Sequence, residues 1–384
     1  MAQINWSFFA GQSLAIGEMS TPALSADPLQ SPWATKLDGN GHRVDLANDG
    51  ASQQPFRTAA EVALVAGRFA AWNNHAEGGR SYDQLKKGTA VYNDAITRAR
   101  AGAAVATSTG DSFVARAVHI VHGESNSGGT IARRYQDFLN TWLRDFDSDL
   151  RRITGQTTAL KAFVCQLSNY DPVALGQLQA SRDNPNMYMV CPKYQLPKVD
   201  GLHLTNAGSY WLGEYHGRVH KKVIIEEQNW LPLSPRSISQ VSSRVIRVRF
   251  HVPVPPLRFS TIHLSTQFQQ GFSFVDSTGS ANMMVSLFNE DTVELVVSRD
   301  IVGTAIIRYG AGNLCDSEPY VSAYDGTPLP NWCVQFSETI SFTYESSSPA
   351  SSAVKTAGTE VDISGNPVVQ YQRVNQAVVQ YPRS

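Results

Sequence analysis

Cysteine is scarce: four among 384 residues, too few for a disulfide scaffold. Cys165 and Cys191 lie in apolar runs, AFVCQLS and YMVCPKY, and read as buried thiols acting as small core residues. Cys315 and Cys333 stand in a later loop-rich region, where spacing leaves their pairing open. No Cys-x-x-Cys occurs, so nothing argues for structural zinc. Excess charge is also missing: 32 basic residues stand against 33 acidic ones, a net charge of -1. No basic run marks an electrostatic footprint for nucleic acid. No apolar stretch has the length of a membrane span. The N-terminus, MAQINWSFFAGQS, lacks the charged and then apolar regions of a secretory leader. The expectation is a cytoplasmic protein, one exported by a route the sequence does not reveal, a component of a particle released by lysis, or a chain whose leader has been removed.

What is present suits a folded protein of about two domains. Apolar residues make up 42% and charged residues 17%, which allows a sizeable core and excludes a disordered chain. Residues 4–10 read as a short buried strand. Residues 18–57 are rich in Ser, Pro, Asp, Gly and Asn and read as one long loop. Helical patterns follow at 58–67 and across 82–105, with a strand at 69–76 between them. A strand is expected at 113–123. The clearest helix covers 130–153, where Ile131, Tyr135, Phe138, Trp142, Phe146, Leu150 and Ile153 step by three or four onto one face. Gly155 suits its end. Strands at 160–168 and 187–194 flank a helix near 172–181, and a last helix runs near 205–221.

Continuous apolar strands alternating with helices argue for a parallel sheet covered on both faces, an α/β domain over residues 1–230. Ligands bind such sheets beyond the carboxyl ends of the strands. The pattern changes near 231, where LPLSP reads as a linker. Over 236–345, short alternating segments separated by STGS and DGTP predict an antiparallel β-domain, a sandwich. Residues 346–384 read as a polar flexible tail ending in two VVQY copies, which could pair within the chain or join a homo-oligomer.

Four segments at these strand ends carry chemistry. In FFAGQSLAIG, Ser13 could end the strand as a nucleophile, or be an ordinary turn serine. In VDGLHLTNAG, Asp200 precedes His203 by three residues, so one turn can set the carboxylate against the imidazole and fix its tautomer. The same stretch could be a polar loop with Thr205 or Asn206 capping a helix. In EGGRSYDQLKKG, Gly79 permits close backbone approach and an outward N–H, as an oxyanion donor needs. The plainer alternative is a turn with Ser81 as cap. IVHGESNSGG follows a strand end in the same topological position.

Together the segments resemble the SGNH hydrolases, the GDSL-like esterase superfamily, over about residues 4–222. Gly11-Gln12-Ser13-Leu14 stands for the family's Gly-Asp-Ser-Leu. Gly79-Arg80-Ser81 matches the second block, and Asp200 with His203 the last. The Gln variant with GESN resembles the branch of sialate O-acetylesterases and related carbohydrate acetylesterases. The resemblance implies a flavodoxin-like three-layer α/β/α fold with Ser13, Asp200 and His203 as catalytic triad and no metal or cofactor. The backbone N–H groups of Ser13 and Gly79 would serve as oxyanion donors. In the third block, Ser125 occupies the usual Asn position and Asn126 the Asp position. His122 stands where the acetylesterase branch has Gln. His122 and Asn126 are therefore the candidates for a third donor, and Glu124 for fixing the loop.

The implied partner is an acetylated carbohydrate. The helix with ITGQ and the stretch PKY…DGLHLTNAG…WLGEY look similar to esterase modules of bacteriophage tail proteins, which would place the chain in a virion. The rival reading is a non-catalytic carbohydrate-binding or virion structural protein on the same scaffold. The His216–His220 pair, lacking the Glu of HExxH, reads as a solvated helix face. His119 reads as a satisfied core residue. His42, His75, Trp33, Trp72 and Tyr82 are candidates for touching substrate or for packing.

Overall fold

The computed structural model describes residues 1–341, 360–362 and 367–368. The first half of the chain alternates strands and helices: β1 (Gln3–Gly11), β2 (Ala34–Leu37), β3 (Arg43–Asp45), α1 (Pro55–Val62), β4 (Ala70–Ala76), α2 (Tyr82–Leu85), α3 (Ala90–Ser108), β5 (Ser112–Val121), α4 (Ala132–Thr154), β6 (Lys161–Gln166), α5 (Pro172–Asp183), β7 (Met187–Pro192) and α6 (Asn206–His220). The strands form one seven-stranded sheet in the order β3-β2-β4-β1-β5-β6-β7. All neighbours pair in parallel except β3, which runs antiparallel to β2. After Gln3, every residue of β1 is buried, as expected of a central strand covered on both faces.

Consecutive residues of β1 point to opposite layers. The Phe8 ring meets Phe146 of α4 at 5.1 Å, and the Phe9 ring meets His216 of α6 at 5.1 Å. Helices α3, α4 and α5 therefore cover one face, with α1 and α6 on the other, giving three layers. Helix α4 buries Tyr135, Leu139, Trp142, Leu143, Phe146 and Leu150 on one stripe. Each such side chain contributes about 1.5–3 kcal/mol by leaving water. Gly155 ends the helix in the left-handed conformation. Ile131 is a correction to the predicted face: it is the N-cap and is 67% exposed.

Three other expectations change. The 18–57 segment is not one loop, because β2 and β3 lie within it and extend the sheet edge. Helix α1 starts at Pro55, a residue suited to a first turn, and ends at Val62 rather than at Gly67. The predicted linker at 231–235 runs directly into a strand, Ser234–Gln240.

The second half is antiparallel. A six-stranded sheet runs, in spatial order, through Met283–Leu287, Thr292–Val297, Val245–His251, Ser234–Gln240, Glu360–Asp362 and Pro367–Val368. A four-stranded sheet runs through Gly279–Ala281, Phe272–Asp276, Thr304–Tyr309 and Phe336–Ser341. Phe250 of the larger sheet meets Phe336 of the smaller at 6.2 Å, so their buried sides face each other. Cys315 and Cys333 are both buried free thiols. The expected tail lies outside the described residues, apart from the strands at 360–362 and 367–368. The second VVQY copy and most of the first also lie outside them.

Candidate active site

Because β1, β4, β5, β6 and β7 are parallel, their carboxyl ends share one sheet edge. Strand β1 is central, with β4 on one side and β5 on the other, so the chain reverses its direction of winding at β1. A crevice opens at such a switch point. At the end of β1, Gly11 takes a φ of 147°. A Cβ there would sit 2.0 Å from the carbonyl oxygen of Val121, so only glycine lets β1 turn this close to β5. Gln12 N–H then donates to that carbonyl at 3.1 Å. Ser13 follows, buried but lining a cavity of about 440 Å³.

Gly79, Glu124, Ser125 and His203 line the same cavity. Glu77 N–H donates to the Gly11 carbonyl at 3.1 Å, which ties the loop after β4 to the turn after β1. Gly79 has a φ of 69°, in the region that favours glycine. Among the described residues, nothing accepts a hydrogen bond from the N–H of Ser13 or of Gly79.

Asp200 grips the 200–203 turn. Its Oδ1 accepts from the backbone N–H of Leu202 at 3.0 Å and of His203 at 2.7 Å, and its Oδ2 lies 2.8 Å from His203 Nδ1. These bonds hold the Asp200 carboxyl well below the usual range, the bond to the His203 ring contributing most. An ionised Asp200 accepts only, so His203 Nδ1 carries a proton and Nε2 is left as the ring's other functional atom. Thr205 caps α6 through the Gly208 N–H at 3.0 Å. No hydrogen bond joins Ser13 Oγ to His203, a contact that often tightens only with substrate bound.

The third block differs from expectation. His122 is fully buried and does not line the cavity. Its Nδ1 bonds the Tyr135 hydroxyl at 2.7 Å and its Nε2 the Arg80 carbonyl at 3.0 Å. Both ring nitrogens are thus occupied, and His122 is not a direct oxyanion donor. Asn126 is also absent from the cavity wall. Its side-chain oxygen accepts from Tyr82 N–H at 2.8 Å, at the start of α2. Glu124 does fix the loop, through an ion pair with Lys193, whose side chain is wholly buried. Burial opposes both charges, but their mutual attraction outweighs it, lowering the Glu124 pKa and raising that of Lys193.

Sequence reasoning gave Gln12 no role. It is only 2% exposed, yet it lines the cavity and accepts from Ser125 N–H at 3.2 Å. Its place inside the Gly-Gln-Ser block was the available signal.

The remaining candidates lie elsewhere. His75 is buried with its Nδ1 2.7 Å from Asp94. His42 lies in the exposed turn between β2 and β3. Trp72 and Tyr82 are buried, and Trp33 packs on Phe69. None of these lines the cavity. The His216–His220 pair is the reverse of a solvated face. Both are buried beneath the sheet, where His119 Nδ1 meets His216 Nδ1 at 3.0 Å and His119 Nε2 meets His220 Nδ1 at 3.1 Å.

The three-layer fold with its crevice at the end of β1 is that of the SGNH hydrolases, here carrying a C-terminal β-domain. The chain belongs to the carbohydrate esterase family of sialic acid-specific acetylesterases, whose model matches residues 26–221. That span contains Gly79, the third block, Asp200 and His203, while Ser13 precedes it. Among solved structures the chain is similar to a carbohydrate acetylesterase from Xanthomonas citri. The TM-score is 0.57 at 14% identity, covering 86% of this chain and 80% of that one, a likeness of fold. A protein from Arabidopsis thaliana matches with a TM-score of 0.45 at 16% identity, over 56% of this chain and 97% of that one. A protein from Parabacteroides merdae described as a GDSL-like lipase matches with a TM-score of 0.37 at 11% identity, over 57% and 96%. Scores at these last two levels carry no argument. No curated protein sequence matches the chain. Among the described residues no helix is long and apolar enough to cross a membrane.

Proposed function

We propose that the protein hydrolyses O-acetyl esters of a carbohydrate with Ser13 as nucleophile. The family and the fold support esterase activity. The observation that carries the serine mechanism is one cavity lined by Ser13, Gly79 and an Asp200-oriented His203, with the N–H groups of Ser13 and Gly79 unspent. Ser13 Oγ attacks the ester carbonyl as its proton passes to His203 Nε2. The N–H groups of Ser13 and Gly79 stabilise the resulting oxyanion. Collapse breaks the bond to the sugar oxygen, which leaves with the proton from His203. Acetyl-Ser13 remains. Water then attacks the acetyl group, its proton passing through His203, and releases acetate and free Ser13.

Acetate release from acetylated polysaccharides, with p-nitrophenyl acetate as a small ester, tests this reading. Ser13→Ala and His203→Ala should each lower kcat by several orders of magnitude, and the double variant should be little worse than either. Asp200→Ala should cost less, because an imidazole keeps some function without its orienting acid. Undiminished turnover by Ser13→Ala would assign the chemistry to another group. Glycan binding without acetate release by the wild type would favour the non-catalytic alternative.

A further inference from the structure

Two backbone N–H groups, of Ser13 and Gly79, are free to meet an oxyanion. The side chain expected to join them is missing. The third-block position where SGNH hydrolases carry Asn holds Ser125. His122 is spent on Tyr135 and Arg80, and Asn126 on Tyr82. Lys193 lies beneath the wall and is paired with Glu124. Neither a lysine nor an arginine lines the cavity. A third donor would have to be a neutral group, and Gln12 is placed to be one.

Gln12 is held at three points. Its N–H donates to the Val121 carbonyl at 3.1 Å, and its carbonyl accepts from Ala15 N–H at 2.8 Å. Its Oε1 accepts from Ser125 N–H at 3.2 Å. The third-block turn that supplies this last bond is itself fixed, since Asn126 N–H donates to the Gly123 carbonyl at 3.0 Å. A carboxamide that accepts through its oxygen keeps its NH₂ for another partner. Among the described residues that NH₂ makes no hydrogen bond, and it is not sealed from solvent. Gln12 is otherwise nearly wholly buried and lines the cavity. The cavity is therefore the open space its NH₂ reaches.

An oxyanion is stabilised best by dipoles already aimed when its charge develops. The bond at Oε1 fixes the Gln12 carboxamide and further polarises its N–H bonds. The Ser125 hydroxyl is the competing group, because Ser125 also lines the cavity. It makes no hydrogen bond among the described residues, and a hydroxyl hydrogen rotates to suit its surroundings, so nothing aims it in advance. We propose, building on the esterase reading, that Gln12 Nε2 is the third oxyanion donor at Ser13, in place of a third-block Asn. The residue before the nucleophile then has two tasks. Its Oε1 holds the third block at the crevice, and its NH₂ donates to the ester oxygen as the carbonyl carbon becomes tetrahedral. A neutral amide does this without lowering the basicity of His203, as a nearby cation would.

Two substitutions separate the donor from the acceptor. Gln12→Glu keeps an oxygen for Ser125 N–H but removes the NH₂, and Gln12→Met removes both. With p-nitrophenyl acetate, each should lower kcat by about 10²–10³-fold while barely changing KM. Phenylboronic acid, whose tetrahedral adduct with Ser13 would put an oxygen in the same hole, should bind both variants more weakly by a similar factor. Ser125→Ala, which keeps the backbone N–H, should lower kcat far less. Thermal melts check folding, and if Gln12→Met does not fold, Gln12→Glu and its boronate affinity decide. A wild type that leaves p-nitrophenyl acetate intact would fail the esterase reading, and this inference with it. With an active wild type, three results would each overturn this inference alone. One is wild-type kcat and boronate affinity in Gln12→Glu, which would leave Gln12 only the task of holding the loop. Another is a loss of kcat in Gln12→Glu with wild-type boronate affinity and a shifted pH profile, which would mean that the new charge acts on His203. The third is a loss in Ser125→Ala equal to or larger than that in Gln12→Glu, which would assign the donor to the hydroxyl.

Discussion

The Arg80 carbonyl can only accept, so His122 Nε2 must carry the ring proton, and Nδ1 then accepts from the Tyr135 hydroxyl. Burial pushes the His122 pKa down to about 4, so this neutral tautomer persists at neutral pH. The ring thereby links α4 to the Arg80–Ser81 peptide and restrains the loop that carries the Gly79 N–H. In the proposed mechanism His122 would act as a positioning residue. His122→Ala should lower kcat about 10–100-fold, less than or comparable to losing a direct donor, while barely changing KM. His122→Gln, which can still donate to the Arg80 carbonyl, should recover most of that loss. Steady-state kinetics on p-nitrophenyl acetate, with thermal melts to check folding, would decide. A folded His122→Ala with wild-type kcat would remove the role. Asp200 and His203 were legible in the sequence because three residues and one turn suffice to join them. The direction of His122 was not, because it is set by Tyr135 and Arg80, which only the tertiary fold brings to it.

At the scale of elements, the loop bearing Asp200 and His203 hangs from the start of α6, and α6 is held by α1. Ser20 Oγ bonds the Leu204 carbonyl at 2.9 Å just ahead of the helix. Further along, Gly213 and Gly217 face α1. A Cβ on Gly213 would lie 2.5 Å from the Pro55 carbonyl oxygen, and one on Gly217 would lie 2.6 Å from Val62 Cβ. The helices thus touch nearly backbone to backbone. Gly217→Ala should destabilise the fold by about 1–3 kcal/mol, since overpacking forces the helices apart. That would appear as a lower urea midpoint. The catalytic rate of the folded protein should change little, because Gly217 is 11 residues beyond the helix start, about 16 Å along its axis. A wild-type midpoint would contradict the close packing. Long periodic elements such as α4 could be read from sequence because burial imposes their spacing. The strands ATKL and RVD could not: they are short and at the sheet edge, and the pairing of ATKL with β4 and of RVD with ATKL supplies what their own pattern lacks.

Across the whole molecule, the parts are joined by bonds that spacing could not disclose. Gln335 N–H donates to Gln166 Oε1 at 2.7 Å, Gln166 Nε2 donates back to the Gln335 carbonyl at 2.8 Å, and Arg182 pairs with Glu338 at 2.9 Å. The antiparallel half is thereby fastened to β6, whose following loop lines the cavity. The molecule also has a weakness at its centre, in the His119, His216 and His220 cluster. Phe9 and Phe163 stack on His119, and Trp72 lies against His119 and His220. Burial holds His216 and His220 down to about 3 and His119 well below its ordinary value. Lys193, Arg68 and Arg116 add repulsion, and among the described residues no carboxylate pairs with any of the three rings. These folded-state values lie below the unfolded value of about 6.5, so between the two the unfolded chain binds more protons. The stability owed to the neutral cluster is therefore complete above pH 6.5 and is lost as pH falls toward the folded values. Each histidine contributes a slope of up to about 1.4 kcal/mol per pH unit in that window. Urea unfolding followed from pH 7 to pH 5 should show a steep loss of stability. Replacing His220 with Gln, which can still bond His119, should reduce proton uptake on unfolding by about one. A stability flat between pH 7 and pH 5, or an uptake unchanged by His220→Gln, would mean that these imidazoles do not stay neutral in the folded protein.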